Sequence, residues 1–142
     1  MRKRRSRIGR WLVEVVVSAA AFGAVAEAHH SIAGMYDQGR RVTVDGTIAQ
    51  FQFVNPHPFV VVETKDASGA TQSWKAELDN RWELEQVGVT ATTFKAGDRV
   101  VVTGSPGRDR TPLLYVWRLE RPGDGFLYEQ IGTSPHVSHL RR

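Results

Sequence analysis

Five histidines, His29, His30, His57, His136 and His139, are the residues of this 142-residue chain best suited to chemistry. His29 and His30 follow a run of small residues, Ala24-Val25-Ala26-Glu27-Ala28, which offers two overlapping small-x-small cleavage points. Cleavage after Ala28 makes His29 the first residue. Its amine and imidazole then chelate one metal in a ring, and His30 or His57 adds a further nitrogen. Cleavage after Ala26 makes His29 the third residue, so that amine, two amide nitrogens and imidazole wrap a metal in a square plane. Nitrogen-rich, planar-tolerant donor sets favour Cu(II) or Ni(II). An α-amine with a pKa near ~8 meets only modest proton competition at neutral pH. Without Met1, Met35 is the only methionine, and there is no cysteine, so a soft Cu(I) carrier site is not expected. The alternative is a solvated tail whose histidines bind nothing.

His57 stands in Asn55-Pro56-His57-Pro58. Pro56 and Pro58 fix their own φ angles, Pro58 keeps His57 out of the helical region, and Asn55 can close an Asx-turn. A ring on so stiff a loop suits a ligand, or else a rigid turn in which the imidazole caps neighbouring carbonyls. Glu77 is read as an outward residue beside Lys75 in a surface ion pair, with orientation of a histidine as its other role. Asn55 and Glu77 are therefore the supporting candidates. His136 and His139 lie three apart beside Pro135 in a polar, mobile tail and carry little weight.

These groups need elements to position them. Residues 1–10 are strongly basic, Trp11 to Phe22 is mainly apolar, and small residues follow, the order of a cleaved secretory signal over 1–28. The stretch from Trp11 to Ala26, broken by Glu14, falls short of the ~20 apolar residues of a spanning helix. No stable membrane anchor is expected after cleavage. Arg4-Arg5 hints at twin-arginine export, but Ser6, Arg7 and Ile8 match its context poorly, so the general route is favoured. The destination is the periplasm or the medium.

Residues 1–28 hold six of the 19 bases and two of the 15 acids, so residues 29–142 balance at thirteen each. The net charge of +4 is thus a property of the leader, and a nucleic-acid partner is not expected.

After a lead-in over 29–40, residues 41–121 read as an all-β, five-stranded OB-like barrel with one short helix. Val42, Val44, Gly46 and Ile48 share one face, and Phe51 and Phe53 then change parity, which predicts a bulge near Ala49-Gln50. Phe59 to Glu63 is the second strand, and KDASGA supplies the hairpin turn. In the third, Trp74, Ala76 and Leu78 face inward. Asn80 and Glu83 have capping spacing for a helix over 81–87, ended by Gly88. Phe94 to Asp98 turns into the strand Arg99 to Gly104. The last strand, Leu113 to Glu120, shows Leu113, Tyr115, Trp117 and Leu119 in strict alternation, which predicts that they share one face. Residues 122–142 form a partly disordered tail, from which Phe126 and Tyr128 dock on the barrel.

No phosphate-binding glycine loop, no HExxH and no nucleophile elbow is present. Ala28-His29-His30-Ser31 after a leader, Tyr36-Asp37, Gly46, Asn55-Pro56-His57, Trp74 with Glu77, and Lys95-x-Gly97-Asp98-x-Val100 occur in that order. Over about residues 28–120 the chain resembles a family of small exported bacterial proteins known only as a domain of unknown function. It departs at Ile32, where phenylalanine is expected, and in its longer tail after Gly125. The resemblance implies export and a small β-barrel, and it directs attention to His29, His30, His57 and Glu77. The expectation is a non-enzymatic periplasmic module that binds a transition metal, Cu(II) foremost. The alternatives are a metal-free adaptor for an envelope protein or small ligand near Asn55-Pro56-His57, and a copper-dependent oxidative enzyme.

Overall fold

The computed structural model describes residues 32–140. The chain divides into two compact units, Met1–Gly34 and Met35–Arg142. The expected leader with its expected cleavage points, His29 and His30 lie outside the described residues, and the account below concerns the second unit.

Seven strands and one short helix follow in the order β1 (Val42–Gln52), β2 (Phe59–Lys65), β3 (Thr71–Glu77), α1 (Arg81–Gln86), β4 (Arg99–Pro106), β5 (Leu113–Arg121), β6 (Phe126–Ile131) and β7 (Ser134–His139). β1 is long enough to serve two neighbours: Val42 to Thr47 pair with β4, and Thr47 to Gln52 pair with β2. The expected bulge is present, since the register with β2 shifts between Ile48 and Gln50. The Lys95–Asp98 turn takes up the Ile48 backbone groups displaced there: Ile48 N–H donates to Asp98 O at 2.8 Å, and Ile48 O accepts from Gly97 N–H at 2.8 Å.

β2 and β3 form a hairpin whose turn is held by the Asp66 carboxylate, which accepts from Ser68 and Ala70. Lys75, Ala76 and Glu77 then pair in parallel with Leu113, Leu114 and Tyr115, and this seam closes β1 to β5 into a barrel. Antiparallel neighbours with one parallel β3–β5 seam, and a helix between β3 and β4, are the OB-like arrangement expected. Val44, Ile48, Val60, Val62, Ala76, Leu78, Val100 and Val102 fill its interior with Leu84 from α1. The helix is capped as its spacing predicts, because Glu83 N–H donates to Asn80 Oδ1 at 3.0 Å.

Two expectations need correction. The alternating Leu113, Tyr115, Trp117 and Leu119 do not share one face, and the residues of β5 in the core are Leu114, Val116 and Leu119. A second bulge is the cause: Thr103 faces Arg118 while Gly104 faces Val116, so Trp117 is an extra residue and the parity changes there. Tyr115 is instead buried on the opposite face, and Trp117 is covered by the Arg41 guanidinium at 4.1 Å.

The region from Pro122 is likewise not a partly disordered tail, since β6 and β7 form a hairpin built on the second half of β5. Gly132 at φ 66° makes its two-residue turn, and Phe126, Leu127 and Tyr128 are buried. Short polar β7 conceals its strand character because only one of its faces meets the core.

Candidate functional site

The loop between β1 and β2 is fastened to the connection between β3 and α1 by both backbone and ring. Leu78 N–H donates to Pro58 O at 2.8 Å, and Arg81 N–H donates to Pro56 O at 3.1 Å. Between these bonds His57 Nδ1 lies 3.1 Å from Leu78 O. A carbonyl oxygen only accepts, so Nδ1 carries the proton and Nε2 is the basic nitrogen of the neutral ring. The loop thus holds a half-buried imidazole in one tautomer. Asn55 is exposed at the start of the loop, and the bond that fixes the ring comes from Leu78 instead.

Glu77 departs from the ion pair expected of it. Lys75 Nζ sits 4.3 Å above the Phe59 ring, while Glu77 turns to the β3–β5 seam. One Glu77 oxygen accepts from the Tyr36 hydroxyl at 2.7 Å, and the other stands 3.9 Å from His57 Nδ1. At that length the carboxylate acts on the ring electrostatically and is not its hydrogen-bond partner.

Tyr36 is delivered by the lead-in, which runs beside the end of β4. Asp37 N–H donates to Pro106 O at 2.8 Å, Arg108 N–H donates to Met35 O at 2.9 Å, and Tyr36 bridges Gly107. Its ring packs on Tyr115 with centroids 5.7 Å apart.

Behind this row lies Asp79, 4% exposed. Its carboxylate accepts from Tyr115 at 2.6 Å, from Tyr128 at 2.8 Å and from Gln130 Nε2 at 2.7 Å. Burial is the main force raising the pKa of Tyr36, Tyr115 and Tyr128, and the adjoining carboxylates push in the same direction. All three phenols are therefore neutral donors at ordinary pH. Glu83 is also raised, first by burial and then by Asp79, with His57 pulling it down.

Asp79 is not marked out by the sequence, and Tyr36 stands out there only in the Tyr36-Asp37 motif of the resemblance. The one local sign of Asp79, an acid just before a helix cap, also describes an ordinary surface turn.

His136 and His139 stand on β7 and, being an odd number of residues apart, point to opposite faces of that strand. His136 is exposed opposite Glu129, and His139 meets the Phe126 ring edge-on at 5.7 Å. Their three-residue spacing does not make a pair. Among the described residues no group of three His, Cys, Asp or Glu side chains converges on a metal position. Among them also, no helix is long and apolar enough to cross a membrane.

Fold and rim together define a small OB-like barrel carrying a histidine, a carboxylate and buried phenols along its β3–β5 seam. The chain belongs to a family of unknown function, DUF6152, whose model matches residues 15–113. No curated protein matches the sequence.

Proposed function

We propose that the exported, trimmed chain is a periplasmic module that binds Cu(II) through its new N-terminus, His29, His30 and His57. The observation that carries this reading is the bond from His57 Nδ1 to Leu78 O, which presents Nε2 as a ligand from a stiff loop. Glu77 stands near enough to stabilise the ring as it donates charge to a cation. Five residues, 31–35, lie between His30 and Tyr36 in the sequence, and Tyr36 is bonded to Glu77 beside His57.

The test is Cu(II) titration of the protein recovered from the periplasm, with intact mass fixing the first residue. His57→Ala is expected to weaken Cu(II) binding about tenfold or more and to change the nitrogen hyperfine pattern in electron paramagnetic resonance. An affinity and spectrum unchanged by His57→Ala refute the reading.

A second reading rests on the surface around the same loop. Trp82 is 67% exposed on α1, Val54 is 40% exposed, and Arg81 stacks on Phe53 at 5.0 Å. An adaptor contacting an envelope protein would use this aromatic edge without metal. Failure of the intact, trimmed protein to take up copper favours it.

A further inference from the structure

Asp79 has no role in metal ligation as proposed above, yet it is the most heavily bonded buried acid among the described residues. Its placement in the chain gives it one. Asp79 and Leu78 share a peptide unit, a rigid plane whose C=O and N–H point in opposite directions. The C=O of that unit is the acceptor for His57 Nδ1, and its N–H belongs to Asp79, whose carboxylate is held in place. The Asp79 carboxylate is pinned to Tyr115, Tyr128 and Gln130, and Gln130 Nε2 bonds Tyr115 as well, at 2.9 Å. The Leu78 side chain is fully buried in the core on the other side. Little freedom remains for the plane to rotate.

We propose that Asp79 is a positioning residue for His57: clamped by Tyr115, Tyr128 and Gln130, it aims the Leu78 carbonyl at Nδ1 and so presents Nε2 outward. Two of the three clamping residues, Tyr128 and Gln130, lie on the β6–β7 hairpin, and all three fall beyond the residues matched by the family model. The hairpin therefore does more than cover the barrel. It tunes a ligand that sits on the loop between β1 and β2. The consequence for metal affinity rests on the copper reading above, whereas the consequence for the ring itself does not.

The experiment separates the two. Long-range proton–nitrogen correlation on the metal-free, 15N-labelled chain reads the His57 tautomer directly, and Cu(II) titration of the same samples reads affinity. The native protein is expected to show His57 protonated at Nδ1. Tyr128→Phe removes one clamp with almost no change of shape, and is expected to shift His57 toward a mixture of tautomers and to lower Cu(II) affinity about tenfold. Gln130→Leu, which leaves both phenols in place, is expected to do the same to a smaller degree, and it serves where Tyr128→Phe does not fold. A shifted tautomer in folded variants supports the positioning role even if no sample binds copper, and that combination sinks the metal reading alone. His57 protonated at Nε2 in the native protein, or an unaltered tautomer in folded variants, overturns the positioning role.

Discussion

At the scale of single residues, the rim is built from neutral donors facing carboxylates. Tyr36 to Glu77, and Tyr115, Tyr128 and Gln130 to Asp79, are each short bonds to an acid. A bond to a charged group contributes more than one between neutral partners, and removing one donor leaves the acid poorly solvated. Tyr36→Phe is expected to lower the stability of the barrel by about 1–2 kcal/mol, read as a reduced urea midpoint at unchanged slope. An unchanged midpoint would show that water replaces the phenol at no cost. His57 was legible in sequence because two prolines announce a rigid loop. Tyr36 and Asp79 were not, because their partners lie 41 or more residues away, except for Tyr115 at 36. No local spacing encodes such a bond.

At the scale of elements, bulges and close strand approaches decide which side chains reach the seam. The bulge in β1 was visible as a change of apolar parity in one strand. The bulge in β5 was hidden, since Leu113 to Leu119 offers apolar residues at both parities and either face reads as the inner one. Cross-strand register resolves it and sends Tyr115 outward, where Tyr36 covers it. Gly46 permits β1 and β2 to approach: a Cβ there would meet Glu63 O at 2.3 Å and Val62 Cγ1 at 2.8 Å. The obstacle includes backbone, so relief requires moving a strand. Gly46→Ala is expected to destabilise the protein by about 1–3 kcal/mol, measured by chemical denaturation. Tolerance of the methyl without loss would mean that the two strands meet less closely.

At the scale of the whole molecule, five acids among the described residues are shifted by their surroundings, and they fall into two groups with opposite pH signatures. Arg121 holds Asp124 at about 2, chiefly through its hydrogen bonds, and Asp45, Asp66 and Asp109 are lowered by their partners Arg99, Ser68 and Thr111. A lowered carboxyl contributes stability above its unfolded value of 3.8 and loses it as pH falls toward the folded value. Glu83 is raised above 4.5, so its contribution is present below 4.5 and is lost as pH rises through its folded value. The four lowered acids outnumber it. The urea midpoint is therefore expected to fall as pH drops from 3.8 to about 2, and Asp124→Asn to make that fall shallower. A midpoint that rises over this interval would contradict the assignment.

The chain's own pattern of residues determined the β-rich class, the first bulge, the capped helix, the turn before β4 and the stiff histidine loop. Each is a local matter of alternation, φ preference or side chain meeting its own backbone. Folding alone decided the inner face of β5, the ordering of residues 126–139, and the joining of Tyr36, His57, Glu77 and Asp79 along one seam. These depend on a parallel pairing between β3 and β5, whose partners lie about 38 residues apart (Lys75 with Leu113). Hydrogen bonds across such a closure follow from register, and register is a property of the assembled sheet.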